Sequence, residues 1–182
     1  MTTARRVILA GSNPGVRLFD AAGKVSAFAS VWQVDWSDRG SGSAIVLWHD
    51  GNVRVVSEDA DLAGWLEQYF VRSFLEVQGL PWPEPVVERD LVQISLDLSD
   101  GMTAKGADIQ IEMSGVLDRR VFRTDEYQLR GVPHSLSLLL APVRSARIDL
   151  GGVTIPGHIR TDAAPTRPSS TAFLTTAEVW SV

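Results

Sequence analysis

Two rhythms of apolar recurrence divide this chain. Over residues 59–77, Leu62, Trp65, Leu66, Tyr69, Phe70, Phe74 and Val77 return every three or four positions and so share one face of an α-helix. Ser57 and Asp59 carry short oxygens that accept the orphan N–H groups of a first turn, and Glu58, Asp59 and Asp61 place negative charge at the positive end of the helix dipole. Gly79 can take the left-handed conformation that ends a helix, and Pro81, Pro83 and Pro85 cannot continue one. The pattern predicts one internal amphipathic helix that covers a face or an opening.

Nearly everywhere else the period is two. Val92, Ile94, Leu96 and Leu98 alternate with polar residues, as do Ala107, Ile109, Ile111 and Met113, and each run reads as a half-buried antiparallel strand. Turn-forming Ser99, Asp100 and Gly101 imply that these two strands pair directly, with a bulge or bend at Gly106. Residues 45–48 and 53–56 flank Asp50 and Gly51, which supply the positive φ of a tight hairpin. The 25–36 run carries Phe28, Trp32, Val34 and Trp36 on one face and Val25, Ala27, Ala29 and Val31 on the other, so both faces expect cover. Strands at 135–141, 146–150, 153–155 and 172–182 continue the style, and the Pro/Thr/Ser-rich 161–171 reads as a surface loop. The expectation is a mainly β, β-rich α+β fold in a single domain over 1–182. It takes the form of one antiparallel barrel or strongly curved sheet of roughly 8–10 strands with the helix as its cover.

Composition narrows the function classes. With 182 residues, 45% of them apolar, the chain is long enough to bury a core as a soluble domain. It has no cysteine, which removes disulfides, thiolate nucleophiles and cysteine-ligated zinc. A net charge of −5 opposes the counterion-release chemistry of nucleic-acid binding. The densest basic spot, Arg119, Arg120 and Arg123, is interleaved with Asp118, Asp125 and Glu126 and reads as a charged solvated turn. The apolar run 7–10 after Arg5 and Arg6 is too short for a secretory leader, and 136–141 is too short to cross a bilayer. These readings place the protein in the cytoplasm with neither a nucleic-acid nor a membrane partner.

Chemistry-bearing residues are sparse. Gly11 to Gly15 follows a strand-like run, but an extended stretch follows it rather than the helix a phosphate loop requires, so it reads as a turn. His49, His134 and His158 sit near strand ends without the spacing of a metal pair, and no metal site or cofactor is expected. Glu178 alternates with Leu174, Thr176 and Trp180; facing an apolar interior it would resist ionisation and could move a proton. The opposite face, Phe173, Thr175, Ala177 and Val179, is at least as apolar, and strict alternation then points Glu178 outward. Six tryptophans accompany only two tyrosines, and each brings a large apolar body with one N–H donor.

Three function classes fit. The first is a small-molecule binding module, lipocalin-like in architecture though without a diagnostic motif, holding an apolar or aromatic ligand among Trp32, Trp36, Trp48 and Trp180 with Arg160 at its mouth. The second is a cofactor-independent isomerase, cyclase or hydratase using Glu178 or His134 as acid or base inside an apolar pocket; both readings expect a cavity of roughly 300 Å³ or more, and an inward Glu178 separates the second from plain binding. The third is a filled barrel acting as a structural or interaction protein, self-associating or meeting a partner through the aromatic surface around 80–85.

Overall fold

Alternating sequence becomes strand in almost every segment of the computed structural model, which describes residues 4–162 and 164–182. Residues 1–3 of the N-terminal segment and Ala163 of the 161–171 loop lie outside the described residues. The chain begins with β1 (Val7–Ser12), β2 (Gly15–Phe19), β3 (Val25–Ser37), β4 (Gly42–His49) and β5 (Asn52–Ser57). Helical structure follows over 60–73, with a separate 3₁₀ turn at Leu75–Val77 after Phe74, and then come β6 (Val86–Arg89), β7 (Gln93–Asp97), β8 (Gly101–Gly106), β9 (Ile109–Val116) and β10 (Arg120–Leu129). The last strands are β11 (Val132–Leu150), β12 (Val153–Thr154), β13 (Thr161–Asp162), β14 (Ser169–Ser170) and β15 (Ala172–Ser181). No helix among the described residues is long and apolar enough to cross a membrane.

The strands join in one large curved ladder ordered β6-β5-β4-β3-β1-β15-β11-β9-β8-β7. Among the described residues this path of ten strands has two ends, β6 and β7; β2, β10 and β12 pair off it, so the sheet has 13 strands, more than the sequence pattern predicts, and β13 and β14 pair only with each other. β11 explains how one ladder makes two layers. Its first half pairs with β10 and β15, and its second half pairs with β9 and β12. The changeover falls at Ala141 to Val143, all buried, where the strand leaves the main sheet and enters a second one.

Two buried clusters lie on opposite faces of the main sheet. Ala27, Ala29 and Val31 of β3 with Ile45 and Leu47 of β4 pack against Met102, Ala104, Ile109 and Ile111 of the second sheet. Phe28, Trp32 and Val34 of β3 with Val46 and Trp48 of β4 pack against Leu62, Leu66, Phe70 and Phe74 of the helical region. Burial on both faces explains why these strands read as nearly continuous apolar runs.

Five details differ from the sequence pattern. Residues 93–97 and 109–116 do not pair with each other: β8 lies between them, β7 pairing with β8 and β8 with β9. Gly106 ends β8, and Ala107 turns the chain with φ 49°. The interleaved charges near Arg120 and Arg123 belong to strand β10, where Phe122 and Tyr127 face inward, Arg123, Asp125 and Glu126 face water, and Arg120 is held by Asp118 and the Pro168 carbonyl. One ladder contact, β5 to β6, is parallel. Finally, the helix begins as expected, with Asp59 Oδ1 accepting from the N–H groups of Asp61 and Leu62 at 3.0 Å, but it does not run to residue 77. A π turn at Leu66–Phe70 and a 3₁₀ turn at Val71–Ser73 end it, and Phe74 leaves in an extended conformation. That exit lays the Phe74 ring nearly parallel to Trp32 and to Trp180, at 6.2 and 6.4 Å, so aromatic packing overrides the helical period.

Candidate functional site

A cavity of about 220 Å³ lies on the helix-side face of the main sheet, where the helical region ends and leaves the strands uncovered. Its walls are largely apolar. β10 supplies Phe122 and Tyr127, β11 supplies Leu136, Leu138 and Leu140, and the chain beyond the helix supplies Phe74 and Glu76. β3 contributes Phe28 and Ser30, and Gly15 of β2 sits under Phe173, where a Cβ would come within 3.0 Å of the ring. A wider, more polar groove of about 610 Å³, lined in part by Arg72, Gln128 and Arg130, adjoins it and shares Phe122 and Tyr127.

β15 carries the polar centre, and a break in its alternation puts that centre in place. Ser137 of β11 pairs with Val179 while Leu139 pairs with Thr176, so two residues of β15 oppose Leu138 alone. This is a β-bulge, and Ala177 within it takes φ 49°, a left-handed conformation unusual for a residue with a Cβ. The bulge reverses the parity of the strand: Phe173 and Thr175 before it and Glu178 and Trp180 after it all face the cavity.

Glu178 is only 2% exposed. The Trp180 Nε1–H donates to its Oε1 at 2.6 Å, and the Thr175 hydroxyl donates to its Oε2 at 2.8 Å. Behind them the Asn13 backbone N–H donates to Thr175 Oγ1 at 2.7 Å, and the Asn13 side chain is pinned by Ser30 Oγ and the Val31 carbonyl. Burial raises the Glu178 pKa above the usual carboxylate range, against hydrogen bonds from Thr175, Trp180 and the Asn13 backbone that favour the charged form. Burial likewise raises the Tyr127 phenol, with the carboxylates of Glu76 and Glu178 adding to the effect.

Of the residues singled out from the sequence, Glu178 and Trp180 meet in this cavity, and the others do not join them. Trp32 is wholly buried beside Phe70 and Phe74, its Nε1–H without a hydrogen-bond partner. Trp48 donates to the Pro81 carbonyl at 2.8 Å and so ties the 78–85 segment to β4. Trp36 is 50% exposed on the opposite face. Arg160 stacks 3.7 Å over the Phe19 ring and donates to the Gly23 carbonyl, outside the cavity lining. His134 is buried behind the helix. The Tyr69 hydroxyl donates to its Nε2 at 2.8 Å, which leaves its Nδ1–H to donate to the Val132 carbonyl at 2.8 Å. No group of three or more His, Asp or Glu side chains among the described residues is arranged to hold a metal ion.

Sequence reasoning missed Phe122, Tyr127, Thr175 and Asn13. A signal existed for the first two, since both are aromatic within a charge-rich run. Their five-residue spacing breaks strict alternation, because β10 also bulges between Thr124 and Tyr127. The chain matches no protein-family model, no curated protein and no solved structure.

Proposed function

We propose that the protein binds a small, largely apolar molecule in the cavity beside Glu178 and Trp180, with no cofactor. The observation that carries this reading is a cavity with hydrocarbon and aromatic walls, into which one buried, hydrogen-bonded carboxyl is set. Sites for small ligands combine such walls with a few placed polar groups. A cavity of about 150 Å³ lined by aliphatic and aromatic side chains admits benzene. The about 220 Å³ here therefore suits one ring with a short substituent and is below the about 300–1,000 Å³ typical of larger ligands. In this reading the curved main sheet and the helical cover act together as a lipocalin-like cup.

The same carboxyl supports a second reading, proton transfer by Glu178 acting as general acid or base, which its raised pKa favours. Binding is the simpler of the two, since it needs only the cavity.

Isothermal titration with ethylbenzene tests the proposal. Leu138 projects into the cavity, so Leu138→Trp fills it from a position already close to buried. Saturable one-to-one binding by the wild type, weakened at least about tenfold in a Leu138→Trp protein that keeps the parent circular dichroism spectrum, is the expected result. Equal heats from both proteins, or no saturable heat from either, would overturn the reading.

A further inference from the structure

The electrostatic character of the cavity narrows the ligand class. Six aromatic rings line it: Phe28, Phe74, Phe122, Tyr127, Phe173 and Trp180. Each ring face is the negative side of a quadrupole and attracts a cation placed over it. Three of the rings form a corner, with Trp180 and Phe74 nearly parallel at 16° and Tyr127 close to perpendicular to both, at 88° and 86°. The two titratable side chains that join them, apart from Tyr127 itself, are the carboxyls of Glu76 and Glu178, and no Lys, Arg or His lines the cavity. β2, β3 and the turn between β1 and β2 bring only Asn13, Gly15, Phe28 and Ser30 to it, and β11 brings only leucines.

Proton counting around Glu178 points the same way. Trp180 Nε1–H and the Asn13 backbone N–H can only donate. The Thr175 hydroxyl already accepts from Asn13, and its own hydrogen goes to Glu178 Oε2. If the carboxyl carries a proton, the Thr175–Glu178 contact uses one of the two hydroxyl hydrogens and the network offers no acceptor for the other. The ionised carboxylate satisfies every donor in the network. What that state lacks is a countercharge, and the cavity provides room for one in front of the carboxyl.

We infer that the cavity takes a small organic monocation, an alkyl- or arylammonium, with its charged end held by Glu178 and the aromatic corner and its apolar end against the leucines of β11. This inference rests on the binding function proposed above and specifies its ligand. The ammonium becomes the partner of the ionised carboxylate, and where the carboxyl is protonated beforehand its proton leaves to solvent on binding. Affinity then increases as pH rises through the titration of Glu178.

The test compares benzylammonium with its neutral isostere ethylbenzene and with benzyl alcohol on the whole protein, by isothermal titration between pH 5 and pH 8. The titrations are repeated in two buffers of different ionisation enthalpy. Benzylammonium is expected to bind about tenfold tighter than ethylbenzene wherever Glu178 is ionised, and any gain of affinity with pH is expected to be matched by release of a proton seen as a buffer-dependent heat. Glu178→Gln keeps the shape of the site and should lose that preference and the proton release while still binding ethylbenzene. If the variant does not fold, the preference of the wild type for benzylammonium over ethylbenzene and benzyl alcohol decides alone. Ethylbenzene binding as tightly as benzylammonium, or benzyl alcohol preferred with affinity falling as pH rises, would overturn the inference and leave the cavity as a neutral-ligand site. Binding of none of the three would overturn both the inference and the function it rests on.

Discussion

The main sheet is buried on both faces, but the two faces are built differently. Toward the second sheet, the contacts are made by Ala27, Ala29, Ala104 and Ala141 with Val, Ile, Leu and Met, residues small or regular enough for two sheets to close on each other. Toward the helix, the contacts are made by Trp32, Phe70, Phe74 and Trp180, large rings meeting at angles from 16° to 69°. The fully buried ionisable groups follow the same division: Glu67 on the helix, His134 against Tyr69, and Glu178 in the cavity all belong to the helix side. A short helical cover over a broad sheet leaves a remainder that rings and polar groups border without filling. Toward the second sheet, strand packs on strand through small and branched side chains. Function is therefore sought on the face where packing is irregular.

The largest expected effect contrasts truncations on the two faces. Ile111→Ala removes a fully buried side chain from the sheet-to-sheet layer and should cost about 3–5 kcal/mol in urea unfolding. Leu138→Ala removes a similar side chain that already faces empty space on one side, and should cost about 2 kcal/mol, because fewer packing contacts are lost. Equal costs would mean that the two faces are equally well packed.

Next in size is a pH effect confined to the helix side. Burial raises the folded-state pKa of Glu178 above its ordinary value of 4.5, so the folded protein holds that proton more tightly than the unfolded chain does. The stability this contributes is complete below the unfolded value and drains away as pH rises toward the folded value. Glu178→Gln has no such loss. Its stability relative to the wild type should climb by about 1.4 kcal/mol per pH unit above pH 4.5 and level off once the folded carboxyl ionises. A difference that stays flat from pH 4 to pH 9 would show that burial does not perturb this carboxyl.

Much of the architecture is legible in the amino-acid sequence, and the illegible parts share a cause. Asp59 announces the helix start because capping is local, and Asp50-Gly51 announces the hairpin because positive φ is local; both residues adopt it, at 49° and 72°. β3 shows its two covered faces because alternation survives along most of its length. The cavity was not legible because it depends on bulges. Strict alternation sets Thr175 and Glu178 on opposite faces of β15, and the bulge at Ala177 brings them together. The same occurs with Phe122 and Tyr127 in β10. No glycine marks either bulge, so pairing with β11 rather than local propensity fixes them. Trp36, counted with Trp32 by period two, lies beyond the shift between Ala10 and Gly11 and ends on the other face.

The smallest expected effect concerns the bulge itself. Ala177 holds φ 49°, which costs a residue with a Cβ about 1 kcal/mol or more. Ala177→Gly should relieve it against the extra backbone entropy of glycine, for a net gain of about 0.5 kcal/mol and a Tm higher by about 1–2 °C. A loss of more than about 1 kcal/mol would indicate that the Ala177 methyl group packs in a way that outweighs the strain.

Xenon diffused into a crystal of the protein distinguishes a main sheet that is hollow on one face and filled on the other from one that is packed alike on both. Xenon enters apolar cavities and reports their position without requiring a specific ligand. The account predicts a xenon site against Leu138, Phe122 and Trp180, and none between the main and second sheets. Xenon lodged beside Ala29 and Ile111, with the space in front of Glu178 closed by its own side chains, would contradict it.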